Sequence, residues 1–214
     1  MSWYNVYLNE IKQKKNAKNY IEDKIKHKQV FIKLLKKYSK NNKKLIEAGC
    51  GTGIISSYMA SKEYDVLGID IDEEILQLST NLAKEYFDED KKLKFEKMSI
   101  LDMQFSKEEF DVCFSNGVLE HFEDEDIICS LKNQMNISRY VVLGIPTQFF
   151  DKTEALYGDE RFLPLEYWRY LITKSGGRIL EEKSFHYMNI LEKICNIKKI
   201  FREKPFRVFV IEKI

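Results

Sequence analysis

Three glycines at alternate positions follow a short apolar run, in the segment Leu45–Ile55 (LIEAGCGTGII). Glycine tolerates a positive φ, and it lets backbone N–H groups come close to a ligand. A glycine loop between a predicted strand and a predicted helix is typical of sites for nucleotide-like ligands. Gly49, Gly51 and Gly53 are therefore candidate binding residues.

The spacing of these glycines separates the classes of ligand. A phosphate-binding P-loop requires GxxxxGK[ST], and the residue after Gly53 is Ile54 rather than lysine. A dinucleotide site uses GxGxxG, whereas the third glycine of this loop comes one residue early. The spacing therefore disfavours a ligand held by its phosphate groups.

A second chemical signal lies 17 residues beyond Gly53, where Asp70 ends an apolar stretch and Ile71 follows it. A carboxylate accepts two hydroxyl hydrogen bonds well, and its charge suits a cationic ligand. Asp72 instead precedes two glutamates, which is the pattern of a helix N-cap. Asp70 is therefore the better candidate for a ligand contact.

These residues lie at the ends of elements that alternate along the chain. The predicted strands are Lys44–Ala48, Asp65–Asp70, Leu93–Met98, Phe110–Ser115, Tyr140–Ile145, Arg178–Phe185 and Phe206–Lys213. The predicted helices are Ala17–Tyr38, Ile54–Ser61, Glu73–Phe87, Asp126–Met135, Pro164–Ser175 and Asn189–Phe201. Such alternation predicts a parallel sheet covered on both faces. We expect one domain over residues 45–214, preceded by a helical extension over residues 1–44.

The motifs together resemble those of a known family. The pattern acidic-x-Gly-x-Gly-x-Gly, the acid at Asp70 and the segment Phe110–Phe122 (FDVCFSNGVLEHF) are similar to the motifs of class I S-adenosylmethionine-dependent methyltransferases of the small-molecule branch. The resemblance implies a Rossmann-like fold, with a seven-stranded, mostly parallel, doubly wound sheet whose last strand is antiparallel. It also implies S-adenosylmethionine as cofactor and S-adenosylhomocysteine as product.

The resemblance further implies a set of cofactor contacts. The acid that ends the second strand binds both ribose hydroxyls in this family, and the next residue lies against the adenine. The third strand matches only in part, because Ser99 stands where the family commonly has an acid that contacts the adenine amino group. The implied cofactor-binding residues are Glu47, Gly49, Gly51, Gly53, Asp70, Ile71, Ser99, Ile100 and Asn116.

Methyl transfer from a sulfonium is an in-line displacement, so an enzyme mainly aligns the reacting atoms. A general base helps when the acceptor is a hydroxyl or a protonated amine. His121, just past the fourth strand, is the candidate base, with a structural role at a helix start as the alternative; Glu120 is an alternative group for binding an acceptor amine. The insert 147–171 is expected on the substrate side, and its candidate acceptor residues are Phe149, Phe150, Tyr157 and Arg161. No metal is implied.

The N-terminal extension is strongly basic. Residues 1–44 carry thirteen lysines and three acids, a formal charge of +10, whereas the whole chain carries +1. An RNA methyltransferase is therefore one alternative, although a lysine-rich amphipathic helix with a solvated face is the favoured explanation of the charge. A regulatory protein that binds the cofactor without catalysis and an NAD-dependent oxidoreductase are two further alternatives. Trp3, Tyr4 and Tyr7 form a candidate lid over the cofactor, with simple packing as the other interpretation.

Cysteine spacing and apolar runs bear on the compartment. The four cysteines form no CxxC pair and are expected to be reduced thiols. No apolar stretch approaches the roughly 20 residues of a membrane span. The first residues also lack the layout of a signal peptide. We therefore expect a cytoplasmic protein that acts on a small molecule, with its oligomeric state left open.

Overall fold

The computed structural model describes residues 2–87, 92–151, 153, 158–185 and 205–214, in which three helices precede a set of strands that are mostly linked by helices. The strands are β1 (Lys44–Ala48), β2 (Asp65–Asp70), β3 (Leu93–Lys97), β4 (Phe110–Asn116), β5 (Ser138–Pro146), β6 (Gly177–Phe185) and β7 (Phe206–Lys213). The α-helices are α1 (Trp3–Gln13), α2 (Ala17–His27), α3 (Gln29–Tyr38), α4 (Ile54–Ala60), α5 (Glu73–Tyr86), α6 (Asp124–Ile137) and α7 (Leu165–Lys174). A short 3-10 helix covers Leu119–His121. The predicted helix Asn189–Phe201 lies outside the described residues.

These strands form one sheet in the order β3-β2-β1-β4-β5-β7-β6. Strand β1 pairs in parallel with both β2 and β4, whereas β7 runs antiparallel between β5 and β6. The predicted fold class is therefore confirmed, including the antiparallel last strand. The strand order reverses beside β1, and open α/β sheets bind their ligands beyond the carboxyl ends of the strands at such a point.

Side chains of the strands alternate between two apolar layers. Ile46 of β1 belongs to the layer that contains α6 and α7, and Leu45 belongs to the layer that contains α3 and α4. Trp168 is fully buried in the first layer, and Phe31 is fully buried in the second. Because both faces are covered, the central strands are apolar on both sides. Helices in the described part of the chain are too short or too polar to serve as membrane spans.

The N-terminal extension contains a break between two helices that the apolar periodicity did not predict. The sequence predicts a single helix over Ala17–Tyr38, but the chain turns at Lys28, where φ is −93° and ψ is 14°. The single-helix prediction is wrong because α2 and α3 each bury one face, so that the apolar spacing continues across a turn without glycine or proline. The turn directs α3 onto β4 and β5, while α2 packs on α4.

Helix α3 belongs to the core of the domain, although it precedes residue 45. Phe31, Ile32 and Leu35 are all buried, and the Phe31 ring meets the Phe114 ring edge-on with centroids 5.9 Å apart. The Tyr38 hydroxyl donates a hydrogen bond to Glu181 of β6 at 3.0 Å. The sheet therefore depends on this part of the extension.

This packing predicts the stability of two matched variants of α3. Leu35→Ala should lower the free energy of unfolding by about 2–5 kcal/mol, because it leaves a cavity in a buried layer. Lys33→Ala, at an exposed position of the same helix, should change it by less than about 0.5 kcal/mol. Urea denaturation followed by circular dichroism measures both effects. A small effect of both substitutions would contradict the placement of α3 in the core.

Candidate active site

The glycine loop joins β1 to α4 at the carboxyl edge of the sheet. Gly49, Gly51 and Gly53 all have positive φ, at 74°, 52° and 65°. A Cβ on Gly49 would stand 2.8 Å from Cγ2 of Val118, and a Cβ on Gly51 would stand 2.6 Å from the Tyr7 hydroxyl oxygen. Both the backbone conformation and the close neighbours therefore require glycine here.

Glu47 is buried in β1, directly before the loop. One of its carboxylate oxygens accepts hydrogen bonds from the Ser56 N–H at 3.1 Å and the Ser56 hydroxyl at 2.5 Å. Burial raises the pKa of Glu47 to about 8, although these hydrogen bonds act in the opposite direction. The side chain thus ties β1 to α4, and its contact with the cofactor stays a prediction.

Asp70, at the end of β2, faces the glycine loop. Its Oδ2 accepts a hydrogen bond from the Gly51 N–H at 3.0 Å, and its Oδ1 accepts one from the Asp72 N–H at 3.2 Å. A carboxylate has about four acceptor positions, so this one retains capacity for ribose hydroxyls. Burial raises the pKa of Asp70. The arrangement fits S-adenosylmethionine, because Ile71 next to it is 67% exposed and offers an apolar surface for the adenine.

Ser99 and Ile100 follow β3 near this edge. The Ser99 hydroxyl accepts a hydrogen bond from the Leu101 N–H at 3.2 Å, and its carbonyl accepts one from the Asp102 N–H at 3.1 Å. Ile100 is buried in the apolar layer with α6 and α7. Ser99 therefore shapes a turn, and the adenine contacts of both residues stay predictions.

The end of β4 brings the N-terminal extension to the site. Asn116 lies over Gly144 of β5, where a Cβ would stand 2.6 Å from the Asn116 Oδ1. That oxygen accepts a hydrogen bond from Lys28 Nζ at 3.1 Å. Burial lowers the pKa of Lys28 to about 8. The sequence analysis missed Lys28, because nothing local distinguishes it from the other lysines of the extension.

His121 ends the 3-10 helix that follows β4 and contacts β5. Its Nδ1 lies 2.6 Å from Oδ1 of Asp159, and the Trp3 ring meets the imidazole edge-on with centroids 5.1 Å apart. A carboxylate at Nδ1 favours the tautomer that carries its proton there and leaves Nε2 as a proton acceptor. Asp159 was also missed by the sequence analysis, because it lies 38 positions along the chain.

Glu120 points into the protein beside His121. The residue is only 3% exposed, and among the described residues its Oε2 has no hydrogen-bond partner. Burial raises the pKa of Glu120 to about 8; Glu160 and Asp159 act in the same direction, and Lys28 opposes them. The region beside His121 therefore contains a carboxyl group with unused hydrogen-bonding capacity.

The candidate acceptor residues of the insert that the structure describes make different contacts. Phe150 stacks on Phe162, with centroids 5.0 Å apart and ring planes 8° from parallel. Phe149 is 42% exposed, and Tyr157 lies outside the described residues. Phe150 and Phe162 therefore form an apolar pair in the segment after β5, and Phe149 lies at the surface there.

Arg161 uses its guanidinium group at the start of α6. It donates hydrogen bonds to the Phe122 carbonyl at 2.6 Å and to the Asp124 carboxylate at 2.7 Å. These contacts hold the insert against α6. A contact of Arg161 with the acceptor stays a prediction.

Helix α1 lies across the glycine loop. Burial and the carboxylate of Asp70 raise the pKa of Tyr7, whose hydroxyl lies beside Gly51. Glu10 accepts a hydrogen bond from the Tyr20 hydroxyl at 3.2 Å and pairs with Lys24 Nζ at 3.0 Å, so α1 is held to α2. The aromatic residues of α1 therefore pack at the site, and their movement as a lid stays a prediction.

Comparison with known sequences gives two results. The family model described as "Methyltransferase domain" matches residues 39–193. A ubiquinone biosynthesis O-methyltransferase from Hydrogenovibrio crunogenus is 32% identical over 95 residues, which is 44% of this chain and 38% of that protein. The matched region is thus less than half of that relative.

Solved structures share the fold at low sequence identity. A SAM-dependent methyltransferase from Methanosarcina mazei has a TM-score of 0.65 at 18% identity, covering 85% of this chain and 97% of that chain. Magnesium protoporphyrin IX methyltransferase from Synechocystis, solved with bound SAM, has a TM-score of 0.65 at 15% identity, covering 87% and 77%. The chain therefore belongs to the Methyltransferase domain family and has the fold of S-adenosylmethionine-dependent methyltransferases.

Proposed function

We propose that this protein transfers the methyl group of S-adenosylmethionine to an oxygen or nitrogen of a small-molecule acceptor. One observation carries the proposal: the glycine loop contacts the turn after β4 through Gly49 and Val118, and that turn leads directly to Glu120 and His121. Cofactor residues and candidate acceptor residues therefore adjoin at one edge of the sheet. The name of the Hydrogenovibrio relative supports a small acceptor.

The chain's own residues would hold and align the reactants. When bound, S-adenosylmethionine supplies a methyl group activated by the sulfonium. Asp70 would accept hydrogen bonds from the ribose, Ile71 would cover the adenine, and the glycine loop would lie against the amino-acid end. Alignment of a nucleophile with an activated methyl group provides most of the acceleration that such a displacement needs.

A neutral hydroxyl or an ammonium acceptor must also lose a proton. His121 would take it at Nε2, since Asp159 holds the opposite ring nitrogen at 2.6 Å. Trp3 covers the imidazole, which limits its orientations. This arrangement supports His121 as the general base.

Cofactor binding tests the first part of the proposal. Asp70→Ala should weaken S-adenosylhomocysteine about 10- to 100-fold in isothermal titration calorimetry, because it removes hydrogen bonds to a charged acceptor. Asp72→Ala is the matched control, since Asp72 caps α5 by accepting hydrogen bonds from the N–H groups of Glu74 and Ile75. It should cost about 1 kcal/mol of stability and leave the affinity unchanged.

Wild-type affinity in Asp70→Ala would remove the ribose role. Thermal stabilisation of the wild type by NADH instead of S-adenosylhomocysteine would favour the oxidoreductase alternative.

The role of α1 can be tested in the same assay. Tyr7→Ala should speed the dissociation of S-adenosylhomocysteine about tenfold, because Tyr7 lies against the loop that holds it. Asn9→Ala, at an exposed position of α1, should leave the dissociation rate unchanged. Stopped-flow displacement measures both rates, and equal rates would mean that α1 packs at the site without retaining the cofactor.

Methyl transfer from labelled S-adenosylmethionine to a metabolite mixture would identify an acceptor. With that acceptor, His121→Gln should lower kcat about 100- to 10,000-fold, as expected for loss of a general base. Asp159→Asn should lower it less, and neither change should alter the affinity for S-adenosylhomocysteine. An unchanged kcat would leave His121 with a structural role, and label in added RNA instead of metabolites would favour the RNA alternative.

A further inference from the structure

The acceptor side of the site carries a buried carboxylate that the described residues do not satisfy. Glu120 is buried, and in the described part of the chain its Oε2 lacks a hydrogen-bond partner. Burial of a polar group without a partner costs free energy, so such groups are rare in native proteins. Glu120 is therefore better explained as one half of an interaction that a ligand completes.

The position of Glu120 places that ligand beside the cofactor. Its Oε1 lies 3.5 Å from the point where a Cβ on Gly117 would stand, and Gly117 directly follows β4. The next residue, Val118, contacts the glycine loop at Gly49. A molecule bound to Glu120 would therefore lie at the sheet edge that also receives the methyl donor.

The charges around Glu120 indicate the sign of that molecule. The groups that act on it are Lys28, from the turn between α2 and α3, and Asp159 and Glu160, from the segment after β5. Lys28 donates a hydrogen bond to Asn116, and His121 is the ionisable neighbour on the same 3-10 helix. Two carboxylates and one ammonium group thus act on Glu120, so a cation would be attracted and an anion repelled.

We propose that the acceptor is an amine, and that its ammonium group is anchored by the Glu120 carboxylate at Oε2. The proposal rests on the proposed methyl transfer and narrows its acceptor to a nitrogen compound. An ammonium group supplies both the hydrogen-bond donors and the positive charge that Glu120 lacks. A neutral hydroxyl would supply only a donor.

The transfer then balances in atoms and charge. The bound ammonium gives one proton to Nε2 of His121, which leaves a lone pair on nitrogen. This lone pair forms the bond to the methyl carbon, and the electron pair of the carbon–sulfur bond passes to sulfur. The products are the N-methylated ammonium ion, the imidazolium of His121 and the neutral sulfide S-adenosylhomocysteine, while Glu120 stays ionised beside the new cation.

Amine binding should also depend on pH. Because the pKa of Glu120 is raised to about 8, its carboxyl group is mostly protonated at pH 7 before an amine binds. An ammonium partner favours the ionised form, so binding at pH 7 should release about one proton. Affinity should rise between about pH 6 and pH 8 and then level off.

Calorimetry on the complex with S-adenosylhomocysteine tests the proposal with two probes of one skeleton, benzylamine and benzyl alcohol. Benzylamine should bind at least about tenfold more tightly than the alcohol, and Glu120→Gln should remove that preference. The proton release, measured at pH 7 in buffers of different ionisation heat, should fall from about one to near zero in this variant. Glu125→Gln, at an exposed position of α6, should behave as the wild type.

Folding is checked on the same samples. Glu120→Gln removes a buried carboxylate, so its midpoint of thermal unfolding at pH 8 should equal or exceed that of the wild type. Equal binding of the two probes, tighter binding of the alcohol, or no binding of benzylamine up to about 10 mM would overturn the proposal. Wild-type benzylamine affinity in Glu120→Gln would overturn it as well. If S-adenosylhomocysteine itself failed to bind the wild type, the proposed function would fail, and the amine assignment with it.

Discussion

The hydrogen bonds between Glu47 and Ser56 hold the glycine loop, and the site residues at the carboxyl edge of the sheet depend on the position of that loop. They join the end of β1 to the first turn of α4 across a loop that contains three glycines. Asp70 then ties the same loop to β2 through the Gly51 N–H. These hydrogen bonds fix the conformation of the loop. Gly49 of the loop then lies against Val118, in the turn after β4. The two halves of the site adjoin because one short loop is held from three strands.

Residues of the N-terminal extension contact the site at the carboxyl edge of the sheet. Trp3 and Tyr7 of α1 lie against His121 and the glycine loop, and Lys28 reaches Asn116. Helix α3 serves a different purpose, since it covers one face of the sheet. The first 44 residues therefore combine a part that the core needs with a part that the site needs, and the turn at Lys28 divides them.

Local patterns predicted the sheet well, because strands covered on both faces are short apolar runs between polar turns. The glycine loop and Asp70 were also recognisable, since their spacing depends on only two neighbouring strands. The contacts of the acceptor side were not, because Asp159 meets His121 across 38 positions and Lys28 meets Asn116 across 88. The order of the strands brings these residue pairs together, so the local spacing of residues in the sequence does not predict them. The break at Lys28 was not predicted for a related reason. The apolar spacing continues from α2 into α3, although α2 packs on α4 and α3 packs on β4 and β5.

The turn at Lys28 also bears on what a substitution in the N-terminal extension would change. Trp3 of α1 lies against His121 and Lys28 of the turn reaches Asn116, whereas α3 covers one face of the sheet. Helix α2 also buries Tyr20 and Ile21 against Ile54 of α4 and Leu82 of α5. The helices that reach the site are thus also packed into the core, so a substitution that alters one of them bears on both.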